Sequence, residues 1–138
     1  MLEDDQDDQH LTKQVMGELS IDMPVEFISS SDDVIPMLEQ ATPLLVLLDY
    51  NTYPETGLDV VKRVRAHADF RHLPIVLLGE FNDPDFVKSC YECGVNSYIV
   101  KPNTLEETRS KIKSFFHYWM DVAETPLPLS VQAGEPIL

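Results

Sequence analysis

Leu44-Leu45-Val46-Leu47-Leu48 is an uninterrupted run of five apolar residues, and it ends directly in Asp49. Such a run is typical of a strand that is buried on both faces, because a strand with one wet face alternates apolar and polar residues. Both faces of a buried strand have to be covered by helices, as they are in parallel α/β sheets. The run therefore predicts a strand inside a parallel sheet, with an aspartate at its carboxyl end.

Short apolar runs and amphipathic stretches alternate along the rest of the chain. Apolar runs predict strands at residues 1–3, 25–28, 44–48, 74–78 and 95–100. Helical spacing of apolar residues predicts helices at residues 6–19, 34–40, 58–68, 84–93 and 105–122. Five successive strand–helix pairs are typical of an α/β protein with a doubly wound five-stranded parallel sheet, right-handed crossovers and helices on both faces.

Length, composition and charge limit the class of protein. The 138 residues, 43% hydrophobic and 25% charged, fit one globular domain, which we predict at residues 1–122, followed by a Pro-containing tail at 123–138. No apolar run approaches the roughly 18 residues that span a bilayer, and residues 1–10 lack a signal peptide's apolar segment. We therefore expect a cytoplasmic protein without membrane contact. The net charge of −14 disfavours direct nucleic-acid binding, because phosphate backbones repel it.

Charged residues follow three of the predicted strands at the point where each strand ends. Asp4 and Asp5 follow the first strand, Asp49 follows the third, and Lys101 follows the fifth. Ligands of open α/β sheets bind outside these strand ends, so the side chains should converge there. Clustered carboxylates repel one another unless a cation is present, and Mg²⁺ prefers oxygen ligands. With a lysine opposite, the cluster suits transfer of a phosphoryl group to a carboxylate nucleophile.

Four parts of the sequence resemble the response-regulator receiver family. They are Leu2-Glu3-Asp4-Asp5, Leu45-Val46-Leu47-Leu48-Asp49-Tyr50-Asn51, Gly57, and Tyr98-Ile99-Val100-Lys101-Pro102. They occur in the family's order, and the resemblance runs from residue 2 to about residue 122. It implies a flavodoxin-like receiver fold with strand order 2-1-3-4-5. The aromatic segment 115–120 is similar to the corresponding part of stand-alone regulators that are paired with bacterial phytochromes.

The same resemblance implies a role for each residue at the strand ends. Asp49 is implied as the phosphoacceptor, and Lys101 as a contact of the phosphoryl group. The peptide bond between Lys101 and Pro102 is expected to be cis. Mg²⁺ is implied as the cofactor, with side-chain, backbone-carbonyl or water-mediated ligands from Asp4, Asp5, Asp49 and Asn51.

One position departs from the family and leaves the function open. The family usually has Thr or Ser just after the fourth strand, where this sequence has Gly79. Since glycine offers no hydroxyl, we expect weaker coupling between phosphorylation and the aromatic switch position, Tyr98. The alternative is a pseudo-receiver, an interaction module that does not switch by phosphorylation. A hydrolase with an aspartate nucleophile is disfavoured, because haloacid-dehalogenase-like phosphatases have a second aspartate where this chain has Asn51.

The resemblance implies a single-domain response regulator of a bacterial two-component system rather than an enzyme, since receiver phosphorylation serves signalling. The expected partners are a sensor histidine kinase or phosphotransfer protein and a downstream protein. The fifth helix has more large apolar residues than one core-facing stripe needs, among them Tyr118 and Met120. We therefore also expect a homodimer contact through this helix.

The first predicted strand is unusually short for a central position in the sheet. Only Met1, Leu2 and Glu3 precede the acidic pair, where receivers normally supply several more apolar residues. We expect either that the natural protein extends further upstream or that apolar tail residues, Leu127, Leu129 and Val131, cover the gap.

Overall fold

The structure is a computed structural model that describes residues 1–126. Its helices are α1 (Gln6–Glu18), α2 (Val34–Gln40), α3 (Gly57–Ala66), α4 (Pro84–Glu92) and α5 (Leu105–Phe116). Its strands are β1 (Val46–Asp49), β2 (Ile75–Gly79) and β3 (Ser97–Val100). A 3₁₀ turn at Ser31–Asp33 precedes α2, and a π-helical turn at His117–Val122 continues α5. Within residues 1–126, no helix is long and apolar enough to cross a membrane.

The three strands form a parallel sheet in the order β1-β2-β3, with Val46 opposite Ile75 and Val76 opposite Ser97. The two strands expected at the other side are reduced to single parallel bridges, in which Leu2 pairs with both Ile28 and Leu48. The sheet thus runs from Ile28 through Leu2 to β1, β2 and β3. This is the order 2-1-3-4-5, so the expected α/β fold with five helices is confirmed.

Leu2 is the residue through which the amino-terminal segment joins the sheet. Its N–H donates to the carbonyl of Leu47 at 2.8 Å, and its carbonyl accepts from the N–H of Asp49 at 3.0 Å. On the other side, the N–H of Glu3 donates to the carbonyl of Ile28 at 2.9 Å. Residues 1–3 therefore do not form a full strand. This agrees with the shortness of the first strand noted in the sequence. The alternative that Leu127, Leu129 and Val131 cover the gap lies outside the described residues, as does most of the predicted tail.

Side chains of the strands alternate between two apolar layers. Val46, Leu48, Ile75 and Leu77 pack with α2, α3 and α4, while Leu45 and Val76 pack with Met16 of α1 and Phe116 of α5. Leu45, Val46, Leu48, Ile75, Val76 and Leu77 are all fully buried. The uninterrupted apolar runs of the sequence therefore have the predicted cause, which is helices on both faces of the sheet.

Gly57 brings the start of α3 against the carboxyl end of β1. A Cβ atom at this position would lie 2.3 Å from the carbonyl oxygen of Asp49 and 2.9 Å from a methyl carbon of Leu77. Backbone cannot yield as a flexible side chain does, so any larger residue has to push α3 away from β1. Gly57 therefore fixes the position of the loop that follows Asp49.

We predict that Gly57→Ala lowers the free energy of unfolding by about 1–3 kcal/mol, the usual cost of overpacking a well-packed site. Gly17→Ala is the matched control, because nothing lies within 4 Å of a Cβ at that helical position. The control should raise stability by about 0.4–1 kcal/mol. Urea unfolding followed by circular dichroism measures both values, and equal effects of the two substitutions would contradict the close approach at Gly57.

Candidate functional site

Asp49 is the last residue of β1 and lies at the carboxyl edge of the sheet. It is buried, with 3% of its surface exposed. Its Oδ1 accepts a hydrogen bond from the N–H of Asn51 at 3.3 Å, and its Oδ2 accepts one from the Lys101 ammonium at 3.0 Å. Burial of a carboxylate is costly unless it is paired, so Lys101 is the contact that makes this position tolerable.

Glu3 reaches the same place from the amino-terminal segment. The backbone pairing of Leu2 and Glu3 directs its side chain into the site, where it is fully buried. One carboxylate oxygen accepts from the N–H of Asp5 at 3.1 Å, and the other accepts from Lys101 at 3.0 Å. Burial, followed by the negative charge of Asp49, raises the pKa of Glu3 to about 7, although Lys101 opposes the shift.

Lys101 follows β3, and its own N–H continues the parallel pairing by donating to the carbonyl of Gly79 at 2.8 Å. Its ammonium contacts carboxylate oxygens of Glu3, Asp8 and Asp49, each at 3.0 Å. Burial alone lowers the pKa of Lys101, but the hydrogen bond to Asp8 and the charges of Asp49 and Glu3 raise the pKa above its ordinary value. The lysine is therefore positively charged at neutral pH.

Glu3, Asp4 and Asp49 form an acidic cluster that is suited to a divalent cation. Each offers a carboxylate oxygen, and these oxygens all lie within 4.8 Å of one another. Glu3 and Asp49 are buried, whereas Asp4 is exposed, so the cluster opens to solvent on one side. An all-oxygen set of few carboxylates with open positions is the environment that Mg²⁺ prefers, because Mg²⁺ keeps several of its waters.

The sequence predicted Asp4 and Asp5 beside Asp49, whereas the structure places Glu3 and Asp4 there, one position earlier in the chain. Asp5 is exposed and is the N-cap of α1, where its Oδ1 accepts from the N–H groups of Asp7 at 2.8 Å and Asp8 at 3.4 Å. The residues that the structure brings together with Asp49 are Glu3 and Asp4. Sequence reasoning missed Glu3, although Asp5 stands directly before a helix with acidic residues in its first turn, which is the signal of an N-cap.

Two other expectations concern the loops beside Asp49. Asn51 is exposed, and its backbone N–H contacts the Asp49 carboxylate, but its expected role as a carbonyl ligand stays a prediction. The expected cis peptide at Lys101–Pro102 was wrong. The cis peptide lies between Tyr53 and Pro54, in the loop between β1 and α3.

Tyr98 fills the space that a side chain at position 79 would need. A Cβ on Gly79 would lie 2.1 Å from the Tyr98 hydroxyl oxygen and 2.7 Å from its ring. The Tyr98 hydroxyl donates a hydrogen bond to the carbonyl of Phe81 at 2.6 Å. The rings of Tyr98 and Phe86 pack edge to face, with a centroid distance of 5.9 Å. Burial raises the pKa of Tyr98, so the phenol keeps its proton for this bond. The two expected switch residues are therefore in direct contact.

The aromatic end of α5 is more fully packed than the sequence indicated. Phe116 is buried, and Phe115, Trp119 and Met120 pack against the same apolar layer, whereas Tyr118 is half exposed. Met120 thus has a core contact that we did not expect from the sequence. The homodimer contact through this helix stays a prediction.

Known proteins with the same organisation match this chain over most of its length. A family model described as the response regulator receiver domain matches residues 1–113. Response regulator Rcp1 of Synechocystis sp. is 24% identical over 133 residues, which cover 91% of this chain and 90% of Rcp1. A crystal structure of a response regulator in red light signaling of R. palustris has a TM-score of 0.84 at 27% identity and covers 92% of this chain and 97% of that one. The Mn²⁺-bound form of Rcp1 has a TM-score of 0.80 at 25% identity, covering 91% of this chain and 96% of that chain.

The raised pKa of Glu3 predicts how the stability of the metal-free protein depends on pH. Between about pH 4.5 and about pH 7, the folded protein retains a proton on Glu3 that the unfolded chain has released. The unfolded state then binds fewer protons, so the free energy of unfolding should fall as the pH rises through this window. Glu3→Gln should remove this part of the dependence.

Denaturant unfolding in the presence of a chelator, repeated at several pH values, measures the effect. Asp5→Asn is the matched control, because asparagine is an equally good N-cap and Asp5 lies outside the cluster. The account would be contradicted if Asp5→Asn flattened the pH dependence and Glu3→Gln did not.

Proposed function

This chain belongs to the response regulator receiver domain family, and we propose that it accepts a phosphoryl group on Asp49 with Mg²⁺ as its cofactor. One observation carries the proposal. The buried Asp49 carboxylate lies at the carboxyl edge of the sheet, 3.0 Å from the Lys101 ammonium and beside two further carboxylates. A carboxylate nucleophile, a fixed cation and an oxygen cluster for a metal are the groups that this reaction needs.

Glu3, Asp4 and Asp49 would hold the metal ion. When bound, the ion supplies positive charge that offsets the carboxylates and the phosphoryl oxygens. The resemblance to the Mn²⁺-bound form of Rcp1 supports a divalent ion as the ligand, and the acidic cluster supports this place for it. The sequence also predicted Asp5 and the carbonyl of Asn51 as ligands, and both stay predictions. The Asp5 carboxylate is already engaged as the N-cap of α1, so we favour Glu3 in its place.

The chain's own groups suit an in-line attack on phosphorus. An oxygen of Asp49 forms the new bond to phosphorus while the bond from phosphorus to the donor's leaving atom breaks, and that atom departs with the electron pair. The leaving atom is a histidine nitrogen in a kinase or phosphotransfer protein and an oxygen in acetyl phosphate. Lys101 already donates to Asp49, so its N–H groups lie where the transferred phosphoryl oxygens arrive. Charge-assisted hydrogen bonds of this kind strengthen as negative charge accumulates on the phosphoryl group.

Receiver domains are signalling modules, and we propose that this one belongs to a two-component system. Its phosphoryl donor is proposed to be a sensor histidine kinase or a phosphotransfer protein, and its output a contact with a downstream protein. The likeness to Rcp1 and to the red-light regulator of R. palustris supports a stand-alone regulator.

A second candidate is a pseudo-receiver that keeps the fold but does not switch. The observation that favours it is the contact between Gly79 and Tyr98. Because position 79 has no side chain, Tyr98 occupies the space that a Thr or Ser side chain would take there, and its hydroxyl is bound to the carbonyl of Phe81. Phosphorylation of Asp49 would then change the position of Tyr98 little, which is what a pseudo-receiver requires.

We predict that a small donor such as acetyl phosphate adds one phosphoryl group to the wild-type protein in the presence of Mg²⁺ and adds none with a chelator. Asp49→Asn should take no label, because the amide cannot act as the nucleophile. Asp69→Asn is the matched control, since Asp69 is exposed and lies outside the site. Intact-protein mass spectrometry measures the adduct, and equal labelling of Asp49→Asn and the control would refute the assignment.

We also predict that Gly79→Ala displaces the Tyr98 ring, because the new methyl group would overlap the ring and its hydroxyl. The hydrogen bond from Tyr98 to the Phe81 carbonyl should be lost. Aromatic NMR signals of Tyr98 measure the change, with Gly17→Ala as the control that leaves them unaltered. Tyr98 signals that are identical in both variants would contradict the contact.

The same signals separate the two candidate functions. If the protein is a switching receiver, the wild-type Tyr98 signals should change when Asp49 is phosphorylated. If it is a pseudo-receiver, phosphorylation should leave them unchanged.

A further inference from the structure

Asp8 contacts Lys101, but it is not part of the acidic cluster and it is not the nucleophile. Its Oδ2 lies 3.0 Å from the Lys101 ammonium, the same distance as the contacts of Lys101 with Glu3 and Asp49. An ammonium group has three N–H donors and no more. The three carboxylates therefore use the full hydrogen-bonding capacity of Lys101.

The three contacts differ in their access to solvent. The side chains of Glu3 and Asp49 are 1% and 4% exposed, whereas the side chain of Asp8 is 45% exposed. The N–H that Asp8 holds is thus the one on the open side of the site. Solvent reaches this N–H more readily than the other two, because those point to the buried carboxylates of Glu3 and Asp49.

The first turn of α1 holds Asp8 in this position. Asp5 accepts hydrogen bonds from the N–H groups of Asp7 and Asp8, and the Thr12 hydroxyl donates to the Asp8 carbonyl at 2.9 Å. A carboxylate in the first turn is favoured by the helix dipole alone, so its presence needs no further cause. Asp7 has the same helical advantage but is exposed and has no contact with Lys101.

We propose that Asp8 is a positioning residue that restrains phosphoryl acceptance by occupying the solvent-facing N–H of Lys101. The proposal rests on the proposed function of Asp49. A phosphoryl group arriving on Asp49 has to take this N–H from Asp8, and the Asp8 charge also repels an anionic donor. Glu3 and Asp49 still hold Lys101 when Asp8 is removed, so the lysine keeps its place and gains a free donor.

Asp8→Ala should therefore increase the rate of labelling by acetyl phosphate at saturating Mg²⁺, by about threefold to tenfold, as expected for one partly exposed ion pair with a charged partner. Asp7→Ala removes the same charge from the same helical turn and should leave the rate unchanged. Asp8→Glu keeps a carboxylate within reach of Lys101 and should return the rate towards that of the wild type.

A second readout follows Lys101 itself in the absence of any donor. The ¹⁵N signal of its Nζ should shift in Asp8→Ala and stay in place in Asp7→Ala, which a loss of helix stability alone would not produce. Labelling of the wild type at a rate equal to that of Asp8→Ala would overturn the role of Asp8 alone. A wild-type protein that takes no label would overturn the proposed function, and the role of Asp8 with it.

Discussion

The ammonium of Lys101 joins three carboxylates that come from three separate parts of the chain. Glu3 comes from the amino-terminal segment, Asp8 from α1 and Asp49 from β1. Buried carboxylates are tolerated only when they are paired, so this one cation allows the acidic residues to share the edge of the sheet. Burial, followed by the negative charge of Asp49, raises the pKa of Glu3. A single lysine leaves the site net negative, which makes the site receptive to a divalent ion.

Sheet topology brings these groups together. Parallel strands end at the same edge, so Asp49 at the end of β1 and Lys101 just after β3 are neighbours in space despite the distance between them in sequence. Leu2 adds the amino-terminal segment to this edge through two bridges, and Glu3 follows it directly. The site is thus assembled by backbone pairing, while Gly57 sets the close packing of the loop beside it.

The sequence predicted the fold and the two central residues because each depends on a local pattern. Asp49 ends a largely buried apolar run and Lys101 follows the half-buried strand β3, so both could be placed at strand ends from the sequence. Their roles were implied by the resemblance to the receiver family. Glu3 could not be recognised in this way, since a first strand with a single pairing residue has no alternation from which to assign its register. The contact between Gly79 and Tyr98 depends on a side-chain conformation across neighbouring strands, which no spacing in the sequence encodes.

We propose that Glu3, Asp4 and Asp49 form the metal site of this receiver. An anomalous difference map from a crystal soaked with Mn²⁺ tests it most directly, because Mn²⁺ takes the same oxygen ligands as Mg²⁺ and scatters anomalously. We expect one strong peak among the carboxylates of these three residues, with Lys101 still bound to Asp49. A strong peak at Asp5, or no peak within reach of Asp49, would contradict it.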